Sequence, residues 1–447
     1  MKLSQSKFTL LTLLGASLVW GKLKAQDTIP MNFEMAVELA LTKNLDYRIQ
    51  QNNMSILQKE KQVAMFSHLP SVGMSSNLLQ QTGQQFQQIE GEIVVTNVSN
   101  DILTGNLNVT MPLFNSGRRI LDTQSAILAL EAGEKGLNRA KQQVIFDVSR
   151  RYLQVLLDQE LVRIAGENLE NQKQQLVQIE GFVDAGLRTM SDLYNQQSEV
   201  ARLESVKVDA EIQYENDLWL LTEYLQLPPG VVPVIESVDP IREVSSFEGL
   251  DLTQLYDLAK SNRQDLTQQT LLANSFKKDM QAIKAMYFPR LNAFYNYNTF
   301  FTSLDQRSLR EQFLRIYPQN TLGIGLTIPI FTNFQSRLEV GRSRVAYENQ
   351  VLQKESIDRK VYQEVKLSYQ NYLAALRKEK NAQVQVLAAE EAFNAVNERF
   401  RLGLSSFVEV STANQTLVRA QADQAQAVYT LYFQDVLMKF ALGTLDF

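Results

Sequence analysis

The chain has 447 residues, no Cys, one His and a formal net charge of −5. Charged residues make up 21% and the mean hydropathy is −0.21, which excludes both a disordered chain and a polytopic helical membrane protein. The acidic balance argues against nucleic acid as a partner, and a chain without Cys has no disulfide or thiol chemistry.

Residues 1–25 read as a secretory signal peptide. Lys2 and Lys7 form a basic start, Phe8–Val19 is an apolar run too short to span a bilayer, and Ala25 is a plausible last residue before cleavage. An uncleaved anchor is the rival reading. Losing this segment removes four Lys and no acid, which moves the net charge from −5 to −9. A helix is expected next, over about 32–67. Two short strands follow, at about 71–79 and 104–113, around a polar, Gln-rich loop at 80–100. A long helix over about 116–181 then leads through "FVDAGLRTMSDL" to a return helix over about 191–225.

Four of the ten Pro fall in 227–250, which reads as a linker. The second half runs in the same order. A helix over about 251–286 precedes strands at about 290–300 and 321–331, with the loop 301–318 between them. A long helix over about 333–398, the turn "FRLGLSSFVEV" and a return helix over about 408–442 complete it. Residues 113–227 and 330–447 contain no Pro. Pro inside a helix costs about 3 kcal/mol, so these gaps permit very long helices.

The halves repeat. Pro112 and Pro329 lie 217 apart, as do Phe114 and Phe331, Gly186 and Gly403, and Asp192 and Glu409. Upstream, Pro70 matches Pro289 at 219 and Asn44 faces Asn262 at 218. The chain therefore divides into a first repeat at 26–226, a linker at 227–250 and a second repeat at 251–447. The fold class is α+β and mostly helical. Val148, Val155, Val162, Leu169 and Leu176 recur every seven residues, the spacing of a supercoiled helical seam.

The strands have period two. Leu107, Val109, Met111 and Leu113 share one face, opposite Asn108, Thr110 and Pro112, and Leu322, Ile324, Leu326, Ile328 and Ile330 do the same. That alternation fits a lipid-facing barrel wall and equally a hairpin lying on a soluble core. Four strands cannot close a barrel, which needs about eight. If they lie in a membrane, several chains must pool them.

Over essentially its whole length the chain resembles the TolC-type outer membrane factors of Gram-negative bacteria. The strand-to-helix elements "MPLFNSGRR" and "IPIFTNFQSR" carry the resemblance, with Pro112, Phe114, Pro329 and Phe331 at the junctions. So do the tip turns "FVDAGL" and "FRLGL", each 74 residues from Pro to Gly. The resemblance implies a homotrimer, with a twelve-stranded β-barrel continued as an α-helical periplasmic tunnel. It implies an exit duct in the outer membrane for efflux or type I secretion, docked by a periplasmic adaptor and an inner-membrane pump, with no cofactor. The alternative is a periplasmic coiled-coil scaffold that forms no channel.

For adaptor contact the resemblance points to Phe182, Gly186, Leu187, Phe400, Gly403 and Leu404. For the tunnel constriction it points to Asn394 and Asn397, where the family carries acids, with Glu391 and Glu398 as nearby sources of charge. Gly186 and Gly403 are expected to end their helices at positive φ, and "NSG" and "TN" to cap the helices that follow. His68 alone makes no metal site. Tyr287, Phe288, Phe294 and Tyr295 are candidates for an aromatic belt. No catalytic motif is present in the sequence, so an enzyme is not expected.

Overall fold

The computed structural model describes residues 27–89, 91–228, 230–236 and 247–446. The signal-peptide reading and part of the linker fall outside them. The expected helix near the start is two helices, α1 (Phe33–Lys43) and α2 (Leu45–Phe66), preceded by a short strand β1 (Asp27–Met31). A hairpin of β2 (Ser71–Ile89) and β3 (Glu92–Phe114) leads into the rod α3 (Arg118–Asp184) and its return α4 (Met190–Tyr224). Strand β4 (Val231–Ile235) pairs in parallel with β1. The second half follows with α5 (Leu252–Asn262), α6 (Gln264–Lys284) and β5 (Arg290–Thr302). The short α7 (Leu309–Glu311) continues as a π turn over Gln312–Ile316. Strand β6 (Gln319–Thr327), the rod α8 (Gln335–Arg401) and its return α9 (Phe407–Leu442) complete the chain.

Each rod has 67 residues, about 100 Å at ~1.5 Å per residue. Their buried seams differ in kind. Val148, Val155 and Leu169 of α3 are buried, with Val162 and Leu176 half-buried. On α8 the buried seam is Val361, Ser368, Ala375, Ala382 and Ala389, also at a spacing of seven. Large side chains fill the α3 seam, whereas on α8 small ones receive Leu417 and Leu431 of α9.

The repeat is tighter than the sequence suggests. The first helix of each half breaks once, at Asn44 and at Arg263, whose ψ of 123° and 114° leave the helical region. The structural partner of Asn44 is therefore Arg263, at 219, and not Asn262. The N-caps Asn32 and Asp251 keep the same offset, so the two-residue slip lies wholly within the hairpins.

Strands β2, β3, β5 and β6 form one antiparallel sheet in that order. Residues directly opposite across a ladder share a face. Register puts Val72, Val109, Tyr295 and Leu322 in one row, and Met111, Ala293 and Ile324 in another. These apolar residues stand out from the molecule: Met74 is 80% and Leu322 81% exposed. The opposite face carries Asn106, Asn108, Asn296, Asn298 and Thr321. Phe294 lies on that polar face, against Gly323, so it leaves the expected aromatic belt, while Tyr295 stays on the apolar side.

The first hairpin corrects the expected loop at 80–100. Its strands pair without interruption from Ser71↔Thr110 to Ile89↔Glu92, so the Gln-rich stretch is a two-stranded ribbon standing beyond the four-stranded part. The second hairpin spends similar length on the folded segment 303–318.

The largest core lies midway along the rods. Val37 and Ala40 of α1, Val148 and Tyr152 of α3, Leu221 of α4, Met31 and Ile235 join there. Tyr152 donates to the Met31 and Glu236 carbonyls (3.2 and 3.1 Å). Each such aliphatic side chain contributes about 1.5–3 kcal/mol. In the other half, α5 and the end of α9 pack on Val361 and Val365.

A polar clasp closes the end of α9. Arg263, with its side chain 4% exposed, pairs with Asp265 and with Glu364 (2.6 Å) and reaches the Ala441 carbonyl. Arg139 lies 3.7 Å over the Phe440 ring and donates to the Phe440 carbonyl. Burial and the Arg263 charge lower Arg139 to about 10. Both cations thus sit at the negative end of the α9 dipole. Arg263→Ala strips Asp265 and Glu364 of their nearest cation and leaves them Arg139 and Lys360 at 3.8 Å; we expect it to destabilise the chain by about 3 kcal/mol, measurable as a drop in Tm in detergent.

A second polar pair has the opposite sign. Asp158 of α3 is buried against Asp217 of α4, and burial followed by that neighbour raises it well above the carboxylate range. A raised folded pKa gives stability that is fully present at low pH and lost as pH climbs toward neutrality. Asp158→Asn, which cannot ionise, should therefore raise Tm at pH 8 and change it little at pH 3, below the ordinary carboxylate range.

Candidate functional site

The chain presents its unusual geometry at two places, the free ends of the rods and the junctions between strand and rod. Both rods end in the same Schellman turn. Leu187 N–H donates to the Phe182 carbonyl (2.8 Å) and Gly186 N–H to that of Val183 (2.9 Å). Leu404 and Gly403 repeat the pattern onto Arg399 and Phe400 (2.8 and 3.0 Å). Gly186 and Gly403 have φ of 74° and 78°, as expected of residues that leave a helix left-handed. The return helices start on side-chain caps: Thr189 and Asp192 form a capping box, and Ser406 accepts from Glu409 N–H.

The two tips pack on each other. Ile179 and Val183 of the first meet Phe400, Phe393 and Val410 of the second. Arg188 fastens them. Its guanidinium lies 4.1 Å over the Phe400 ring and donates to the Phe400 carbonyl (2.7 Å). Sequence reasoning missed Arg188, because its counterpart 217 residues on is Ser405 and no repeat marks it.

Of the six tip residues singled out by sequence, Phe400 is buried in the tip core and Phe182 is half-buried outside that cluster. Leu187 and Leu404 are exposed with Leu402, Met190 and Val408. These five give the rods an apolar end.

Glu391, Asn394 and Glu398 fall at spacings of three and four on α8 and are exposed. They share a stripe turned away from the tip core. Asn397 is half-buried beside it. Glu398 pairs with Arg401 (3.0 Å). Only these two carboxylates remain on the stripe, and one is already neutralised.

At the junctions β3 reaches Phe114, with Pro112 opposite Asn292 and a bulge just after it. Strand β6 stops at Thr327, so Pro329 and Phe331 lie beyond the ladder. Both connections then turn through two left-handed residues, Ser116–Gly117 and Asn333–Phe334, into the rods. The expected capping is not what starts them. Neither N-cap, Gly117 or Phe334, makes a side-chain bond, and Ser116 instead donates to the Pro289 carbonyl. Only Thr332 reaches a helix N–H, that of Ser336 at 3.4 Å.

Among the described residues no cluster of His, Cys, Asp and Glu could hold a metal, and no helix is long and apolar enough to cross a membrane. His68 faces the Thr123 hydroxyl at 3.4 Å.

Comparison with known proteins places this geometry. The profile of a family described as outer membrane efflux protein matches residues 36–225 and 255–444, one match per repeat. The outer membrane protein TolC of Salmonella enteritidis is 20% identical over 381 residues, covering 85% of this chain and 75% of that protein. The pyoverdine export outer membrane protein OpmQ of Pseudomonas aeruginosa is 26% identical, covering 72% of this chain and 65% of that one. Among solved structures, CusC superposes with a TM-score of 0.79 at 16% identity, over 92% of each chain. VceC of Vibrio cholerae does so with a TM-score of 0.75 at 15% identity, over 92% of this chain and 96% of that one. The chain belongs to the outer membrane efflux protein family, a family of outer-membrane channels.

Proposed function

We propose that the protein works as the exit duct of an efflux or secretion machine. In this reading it is a homotrimer whose strands close a twelve-stranded barrel and whose rods line a periplasmic tunnel. It is a passive conduit and performs no catalysis. A periplasmic adaptor, bound in turn to an inner-membrane pump, docks on the apolar tips around Leu187, Leu402 and Leu404.

One observation carries the trimer. The sheet has two open edges, β2 and β6. The helix entering at the first edge, α2, exposes Ile49, Ile56 and Val63 at a spacing of seven. The helix leaving the second, α8, exposes Leu338, Val345 and Leu352 at the same spacing. Each flank thus combines an unpaired strand with an unpaired supercoil seam. One copy's β2–α2 flank meets the next copy's β6–α8 flank, a head-to-tail contact that closes into a ring. Three copies supply twelve strands, enough for an open lumen.

The stripe of Glu391, Asn394, Asn397 and Glu398 then lines the narrow end of the bore. With Asn at two positions its charge is low, so it acts by side-chain size more than by binding cations.

Ile56→Asp with Val345→Asp puts carboxylates into both seams. Detergent-purified wild type should run as a trimer in light scattering and the double variant as a monomer. A wild type that is monomeric yet conducts ions in a lipid film would sink the ring. Leu187→Asp with Leu404→Asp tests docking. Export in cells should fall at least tenfold, while trimer mass and conductance of the isolated protein stay unchanged.

A further inference from the structure

We infer that the segment between β5 and β6 is a docking element for the phosphorylated headgroup of an outer-leaflet lipid, held against the lipid-facing wall of the barrel. The inference rests on the outer-membrane channel reading above. A connection on the outer side of a barrel is expected to extend into water or fold over the mouth. Here the turn around Phe313 folds down on the outside. A Cβ on Gly105 would lie 2.4 Å from the Phe313 ring. Gly105 alternates in phase with Leu103, Leu107 and Val109, so its Cβ direction is the apolar face. Thr299, directly opposite Gly105, donates its hydroxyl to the Phe313 carbonyl (2.6 Å). The row Ser76–Gly105–Thr299 is the one place where small residues interrupt the apolar face of the first three strands, and Phe313 lies over it.

The segment is built in place. Gln312 is fully buried and donates to the carbonyls of Thr302, Asp305 and Arg307 (3.2, 3.0 and 2.7 Å), while accepting from Thr302 N–H (3.0 Å). Tyr317 stacks on Phe300 at 4.1 Å, on the polar face of β5 with Asn296 and Asn298, and so fixes the far end of the segment at the rim. Its height follows from the register. Thr299 is eight residues along β5 from Leu291, about 27 Å at ~3.4 Å per residue. A tilt of ~40° brings that to roughly 20 Å above the inner end of the apolar band, close to the outer rim of a band ~25 Å tall.

At that rim the segment "LREQFLRI" offers two unpaired cations. Among the described residues Arg307 is paired with Asp305, whereas Arg310 and Arg315 are exposed and make no ion pair. Glu311 is the acid between them, and the balance stays positive. Leu309 and Leu314 are exposed beside them. Apolar side chains and arginines together at the edge of a lipid-facing surface are the composition of an interfacial element. The continuity of this patch with the apolar wall selects lipid as its occupant.

The chain has no Cys, so the full protein can be labelled at Leu314→Cys. In phosphatidylcholine vesicles a fluorophore there should be quenched by nitroxide-bearing lipid and be shielded from aqueous iodide; the reverse pattern overturns the placement. In native mass spectrometry, wild type offered phosphatidylglycerol or lipopolysaccharide against phosphatidylcholine should retain the anionic lipid. Each arginine near the headgroups is worth about fivefold, so Arg310→Gln with Arg315→Gln should lower that preference about twenty-five-fold. Equal preference in wild type and variant overturns the proposal, as does displacement of the lipid by inorganic phosphate alone. Conductance is read on the same samples. Loss of preference with conductance intact rejects this site only, whereas a wild type that fails to insert or conduct rejects the channel reading with it.

Discussion

Hydrocarbon cannot satisfy a peptide group. Every N–H and C=O along an open strand edge costs several kcal/mol in lipid, and this sheet has two such edges on one chain. The rest of the architecture follows from that constraint. The edges sit at opposite flanks, and the helices attached to them carry apolar seams that continue the same boundary away from the membrane. In the proposed trimer a single copy is a slice: the open backbone of its sheet and the exposed apolar side chains along its rods fall on the same two sides.

The slice is held together in different ways along its length. At mid-height aliphatic residues from both halves form a true core, and the Arg263–Asp265–Glu364 clasp fixes the end of α9 against it. Towards the tips the core thins to small clusters, with buried amides between helices, as where Asn414 donates to Asn168 and Gln196 to Gln172. Buried amides fix the register of one helix on another more than they add stability. A rod pinned at its middle and lightly cored at its end concentrates flexibility at the end.

Much of this was legible in the sequence. Period-two alternation, Pro-free runs and the paired Gly residues predict the sheet, the rods and the tips, because each depends on residues close in the chain. The α8 seam was not legible, since Ser368, Ala375, Ala382 and Ala389 do not stand out as apolar. The tall ribbon was hidden for a related reason. "QQTGQQFQQ" has little strand propensity and is held by its pairing with "IVVTNVSN". Arg188 and Arg263 depend on partners more than 100 residues away for their roles, and local pattern carries no trace of such contacts. Positive φ at Phe334, where the first repeat has Gly117, was equally out of reach.

From the first N-caps to the tips the offset between the two halves changes only within the hairpins, and α3 and α8 agree to the residue at 67 each. A helix works as a ruler: one residue more on one side would lift that tip by about 1.5 Å and swivel it by about 100°, parting Arg188 from Phe400. Insertions are thus free to accumulate above the membrane and are barred below it. The depth at which the duct ends is written twice in the chain, and each copy proofreads the other.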